Sequence, residues 1–187
     1  MFQVRVHGRG GQGVVTAAEI LSVAGFIEGK HTQAFPSFGS ERMGAPVMAF
    51  CRLDQQPIRL REPVSRPDLV MVQDDSLLLH PGVLAGQGSD AWLILNTHAR
   101  REDLQALPGL QSFRADRILT LPATEIGREH TGRPLPNAAM LGACTVLAEL
   151  PDEAAVLRAL EQKFPGESGR RNAAAARAGR LTVQEYL

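Results

Sequence analysis

The residues Gly8-Arg9-Gly10-Gly11-Gln12-Gly13 carry the pattern G-x-G-x-x-G, set between a short alternating segment and a long apolar one. Glycines at this spacing permit a tight turn and let backbone N–H groups approach an anion closely. A helix that starts directly after the turn adds a partial positive charge favouring phosphate. Arg9 is placed to add a charge-assisted bond to phosphate, or to pair with a neighbouring subunit. Two readings of the loop stay open: a site for a phosphate-bearing ligand, or a tight strand-to-helix turn packed against another subunit. A nicotinamide dinucleotide would call for an acidic residue about 20 positions further on to grip the ribose. The residues there are His31, Thr32, Gln33 and Phe35, and Glu41 lies beyond a Pro-Ser-Phe-Gly turn. That argues against NAD. A coenzyme with a pyrophosphate and different ribose chemistry, such as coenzyme A, fits at least as well.

The elements that must position this loop follow from periodicity. Residues 2–7 alternate as a strand with Phe2, Val4 and Val6 on one face, and Val14 to Ile27 reads as a helix. That helix is apolar nearly all round, with Thr16, Glu19 and Ser22 as its only polar stripe, so a partner subunit is expected to cover part of it. Strands are expected at 31–35, 47–53, 69–73, 92–96 and 117–121, with 58–60 pairing as a hairpin to 47–53. Helical segments are expected from Asp75 to about His80, from Pro122 to His130, from Pro136 to Leu150, from Pro151 to Phe164 and over 168–179. The reading is a single α/β domain, Rossmann-like, with a mostly parallel sheet and helices on both faces.

Other candidate chemistry is sparse. The 187 residues suit one domain, and Lys+Arg and Asp+Glu both number 20, without the basic excess of a nucleic-acid binder. Cys51 and Cys144 lie far apart in sequence without a CxxC partner, so they read as buried reduced thiols. The scattered histidines show no metal-ligand spacing. His7, beside the loop, reads as a structural residue bonded to the loop backbone. Asp75 reads as a helix N-cap. Asn137 is either an N-cap or a donor to a ligand at its helix start. No signal peptide or membrane span is expected, the chain reads as cytoplasmic, and no catalytic residue is assigned.

Two long motifs, HGRGGQGVVTAAEIL and QAFPSFGSERMGAPVMAFCRL, resemble the gamma subunit of pyruvate:ferredoxin oxidoreductase and related 2-oxoacid:acceptor oxidoreductases. RPDLVMVQDDSLL, LILNT, PNAAMLGA and GRRNAAAARAG extend the resemblance over most of the chain. It implies a subunit active only in a complex that decarboxylates a 2-oxoacid on thiamine diphosphate with Mg2+, passes electrons through iron–sulfur clusters and delivers the acyl group to coenzyme A. Alpha and beta subunits would hold the thiamine and a ferredoxin-like subunit the clusters. An additional flavoprotein would make NAD the final acceptor. The resemblance assigns Gly8 to Gly13 to the coenzyme A phosphates or the channel admitting them. It places Ser37, Ser40, Glu41 and Arg42 in a loop facing the thiamine subunits, where Glu41 and Arg42 would form inter-subunit ion pairs or orient the coenzyme's pantetheine arm; these four, with Asn137 at its helix start, are candidate cofactor-binding residues. Phe35 and Phe38 read as core or interface anchors. Met43 stands where many relatives carry a second basic residue. The FPSFG form is similar to the pyruvate-like branch, which phenylglyoxylate dehydrogenase also resembles, so the 2-oxoacid stays open. A purely structural subunit, touching no ligand, is the alternative. The apolar 14–27 helix and the 35–46 loop would make the isolated chain prone to aggregate.

Overall fold

The computed structural model describes residues 1–37, 43–99, 101–104 and 109–185. Strands β1 (Phe2–Arg9), β2 (His31–Pro36), β3 (Pro46–Asp54), β4 (Leu69–Val72), β5 (Trp92–Asn96) and β6 (Ile118–Leu121) form one sheet in the order β2-β3-β1-β4-β5-β6. β1, β4, β5 and β6 run parallel, while β3 is antiparallel to both β1 and β2. The four-residue strand Leu-Val-Met-Val of β4 is buried throughout, as expected of a strand covered on both faces.

The helices are α1 (Val14–Ile27), α2 (Arg101–Leu104), α3 (Ala123–Thr131), α4 (Asn137–Cys144), α5 (Glu153–Lys163) and α6 (Glu167–Gln184). The two faces are covered unequally. Val4, Val6, Leu69, Met71, Ile94 and Leu119 pack in one core with α1 and α3 to α6. Val70, Val72, Leu93 and Leu95 pack instead with Leu104 of α2 and with loops and 3-10 turns carrying Leu77, Val83, Leu110 and Phe113.

Several expectations need correction. Residues 58–60 form no strand, because β3 already has β1 on one side and β2 on the other, leaving no edge to pair. The helix begun at Asn137 ends at Cys144 and gives way to turns, while the last helix runs on to Gln184. Asp74, rather than Asp75, caps the 3-10 turn Asp75–Leu79 by accepting from the Ser76 N–H at 3.2 Å. Asp75 accepts from the Thr97 hydroxyl at 2.9 Å. Most of α1 is covered within the chain: α4 and α5 contribute to its core, and Glu19 pairs with Lys163 at 2.8 Å. Of its large apolar residues only Val23 and Phe26 are exposed, so the expected aggregation has less apolar surface to act through.

Close backbone approach holds the helical layer together. A Cβ on Gly142 of α4 would lie 1.8 Å from the Ala176 carbonyl oxygen of α6, and one on Gly179 of α6 would lie 2.0 Å from that of Ala139. Nothing larger than hydrogen fits between these helices. The packing carries the start of α4, and so Asn137, to the end of the sheet where the glycine loop sits.

Candidate functional site

The site is built at the carboxyl end of β1, where β1 leads into α1 on one face and neighbouring β4 leads into a 3-10 turn on the other. Open α/β sheets place ligands at such a switch of direction. A Cβ on Gly8 would stand 2.6 Å from Val14 Cγ2 and 3.0 Å from the Gln73 side-chain oxygen, so only glycine lets α1 start this close to the strand. Gly13 caps α1 with φ 79°, in the left-handed region, and a Cβ there would meet Asn137 Nδ2 at 2.7 Å. Gly10 ties the loop to the next segment, donating to the Ala45 carbonyl at 2.9 Å and accepting from the Gly44 N–H at 3.1 Å.

Among the described residues no side chain caps α1, and its first turn holds no acidic residue. Its first N–H groups therefore keep their partial positive charge available. A cavity of about 590 Å³ opens there, lined by Gly10, Gly11, Gly13, Val14, Val15 and Thr16, and across from them by Ser37 and Val47. This volume suits a cofactor-sized group. The position where a dinucleotide fold presents its ribose-binding carboxylate is taken up differently here. β3, not β2, lies beside β1, and it begins at this end with Pro46 and Val47.

The side chains of Arg9 and Gln12 turn back onto the chain. Arg9 Nε donates to Asp74 Oδ2 at 3.1 Å, Nη2 to Ser76 Oγ at 2.7 Å and Nη1 to the Gly44 carbonyl at 3.1 Å. Gln12 Nε2 donates to the same Asp74 oxygen at 3.1 Å, while its Oε1 accepts from the Arg9 N–H at 2.7 Å. Asp74 is thus the anchor of the loop. Burial alone would push its carboxyl up, but hydrogen bonds from Ser76 and Gln12, with the Arg9 charge, hold it below the usual carboxylate range. This role was missed in the sequence. The only signal was a carboxylate at a strand's carboxyl end.

The structure brings most of the predicted residues together. Gly8 to Gly13, Ser37 and Asn137 share this end of the sheet. Asn137 is 4% exposed and follows Pro136 at the helix start; its Oδ1 accepts from the next residue's N–H at 3.0 Å. Ser37 donates its N–H to the Met48 carbonyl at 2.8 Å. Ser40, Glu41 and Arg42, with Phe38, lie outside the described residues. Phe35 packs against Phe50 at 5.1 Å between ring centres, with the Arg52 guanidinium over its ring, and so serves as an anchor within the chain.

His7 departs from its expected role. Its ring makes no hydrogen bond to the loop among the described residues; instead it lines a second cavity of about 390 Å³, which shares Ser37 and Val47 with the first. Cys51 and Cys144 are free and buried, and burial pushes both thiols far up. Two buried neutral thiols cannot ligate an iron–sulfur cluster, which needs four thiolates. Among the described residues no group of three or more metal-binding side chains comes together, and no helix is long and apolar enough to cross a membrane.

Comparison with known proteins agrees with this architecture. The family model described as pyruvate ferredoxin/flavodoxin oxidoreductase matches residues 3–182. The common gamma subunit of the pyruvate/ketoisovalerate oxidoreductases of Pyrococcus abyssi is 46% identical over 177 residues, covering 95% of this chain and 94% of that one. The crystal structure of pyruvate oxidoreductase subunit PORC from Thermotoga maritima superposes with a TM-score of 0.82 at 35% identity, covering 97% of this chain and 96% of that one. The 2-oxoglutarate:ferredoxin oxidoreductase of Magnetococcus marinus shares the fold, with a TM-score of 0.77 at 15% identity over 98% of this chain and 31% of that one. The chain therefore belongs to the pyruvate ferredoxin/flavodoxin oxidoreductase family and is an oxidoreductase subunit of the gamma type.

Proposed function

We propose that this chain works in a thiamine-diphosphate-dependent, coenzyme A-acylating 2-oxoacid oxidoreductase complex, and that its glycine loop receives the phosphate end of coenzyme A. The observation that carries this reading is the start of α1, capped by no side chain among the described residues and facing a cavity of about 590 Å³ with no acidic residue in its first turn. A diphosphate placed there would accept from the first-turn N–H groups and gain from the helix dipole. Arg9 and Gln12 then act as positioning residues, holding the loop to Asp74, while Asn137 buttresses Gly13. The solved 2-oxoglutarate:ferredoxin oxidoreductase of the same fold has coenzyme A and succinyl-CoA bound, which supports the ligand class.

In this reading thiamine diphosphate, with Mg2+, supplies the carbanion chemistry of decarboxylation on the alpha and beta subunits. The clusters belong to a ferredoxin-like subunit, in keeping with the buried thiols of this chain. The Pyrococcus relative's name points to pyruvate or a branched 2-oxoacid as substrate. Ser40, Glu41 and Arg42 are proposed to face the thiamine subunits.

The test is titration calorimetry of the assembled complex with coenzyme A, comparing the wild type with Thr16→Glu. A carboxylate in the first turn favours the helix while repelling phosphate. Affinity should fall by about tenfold or more. An unchanged affinity would leave a subunit that only braces its partners.

A further inference from the structure

A third cavity, of about 360 Å³, lies in the helical layer where the end of α3 meets the starts of α4 and α6. Asn137 lines it and also stands against Gly13, so one residue separates it from the glycine loop. Two close backbone approaches fix its walls. A Cβ on Gly127 of α3 would lie 2.1 Å from the Leu135 carbonyl oxygen, and one on Gly169 of α6 would lie 2.1 Å from that of Phe164. Pro134 and Pro136 further stiffen the segment between α3 and α4. The cavity is therefore preformed, and a ligand would not have to order its walls.

Its polar groups are mostly donors. Arg133 lines one wall, and among the described residues its guanidinium bonds to nothing. Arg171 lines the other and shares the Glu167 carboxylate with Arg170, at 3.0 Å and 2.7 Å. Three arginines thus stand against one carboxylate, and positive charge is left over. The start of α6 adds to it, since no side chain among the described residues caps that helix. Asn137, 4% exposed, is the most deeply buried of the lining residues. Its Oδ1 is taken by the Ala138 N–H, but its Nδ2 donates to nothing among the described residues and, unlike His7 Nε2, is not sealed from solvent. A donor so placed calls for an acceptor in the cavity.

We propose that this cavity binds a small phosphate monoester, the phosphate held by Arg133 and the start of α6 with Asn137 as the innermost donor. The body of the ester rests on Leu135 and Phe164, which supply the apolar part of the lining. A phosphate carries close to two negative charges at neutral pH, so it uses the excess of positive charge more fully than a carboxylate does. A cavity of about 360 Å³ takes such an ester and excludes a whole nucleotide coenzyme. The proposal does not rest on the coenzyme A reading.

The experiment uses the full chain co-purified with its partner subunits, titrated calorimetrically with phenyl phosphate, inorganic phosphate and phenol. Phenyl phosphate should bind the wild type more tightly than inorganic phosphate does, and phenol should not bind. Arg133→Gln should lose about tenfold or more in phenyl phosphate affinity. Ser168→Glu, which puts a carboxylate in the first turn of α6, should lose the same binding by repulsion. Both positions are exposed, so the variants should keep the wild-type melting temperature. Coenzyme A affinity should stay unchanged in Arg133→Gln, so the two sites fail or stand separately. Absence of phenyl phosphate binding, equal binding of inorganic phosphate, wild-type affinity in both variants, or a parallel fall in coenzyme A affinity would overturn the proposal.

Discussion

The two faces of the sheet solve the same covering problem with opposite chemistry. On the helical face the sheet offers Val4, Val6, Leu69 and Met71, and α1 and α3 to α6 lie on them in a wholly apolar core. On the other face, β1 and β3 present Arg5, His7 and Arg52, each 6% exposed or less. Helices satisfy their own backbone groups, so they can rest on hydrocarbon. Loops bring bare carbonyls, and where they cross β1 and β3 the strands supply donors to them, while β4 and β5 on the same face stay apolar. Arg52 does so by donating Nη2 to the Glu62 carbonyl at 2.6 Å, and Arg5 by holding Val64, Val83 and Ala85. The glycine loop sits where the two regimes meet.

The contrast can be broken first on the helical side. Gly142→Ala puts a methyl group against the Ala176 backbone, which cannot yield as a side chain would. A loss of about 4 kcal/mol, or failure to fold, is expected in denaturant unfolding. A loss under about 1 kcal/mol would mean that α4 and α6 separate easily, and the helical face would not be the rigid one.

Arg5→Met probes the loop side. It removes a buried charge but leaves the carbonyls of Val64, Val83 and Ala85 without donors, at a cost of about 3 kcal/mol. Hydrogen exchange should show the opening concentrated in residues 81–86, with the helical face still protected. Uniform loss of protection would refute the separate regimes.

His7 sharpens the comparison through pH. Its folded pKa is depressed to about 3, against about 6.5 in the unfolded chain, so the unfolded state takes up the proton first on acidification. The associated stability is complete above pH 6.5 and is lost as pH falls toward 3. Between pH 6 and pH 4 this amounts to about 2 kcal/mol, and His7→Leu should flatten that part of the pH profile. An equally steep profile in the variant would place the titration elsewhere.

Much of the fold was legible locally. The period of β1, the apolar run of α1 and the buried strands β4 and β5 announced themselves, because each obeys a short-range pattern. Asp152 was equally readable: its side chain accepts from the Ala155 N–H at 2.7 Å and starts α5 where expected. The insertion of β3 between β1 and β2 was not readable, since strand order depends on which surfaces meet and not on any one segment. The same holds for Asp74, whose work is done on Arg9 and Gln12, far away in sequence. His7 misled because a histidine beside a polar loop looks bonded to it, whereas its side chain points to the other face of the sheet.

The sequence by itself determined a strand, a glycine turn and a helix in succession, because glycine spacing and apolar periodicity are properties of neighbouring residues. It also carried the family resemblance, which two long motifs in order were enough to establish. Only the tertiary structure decided that Asn137 would stand against Gly13, that Asp74 would hold the loop, and that β1 would bury Arg5 and His7 beneath loops. Those outcomes depend on packing between distant segments, where burial turns an ordinary polar residue into one that needs a partner.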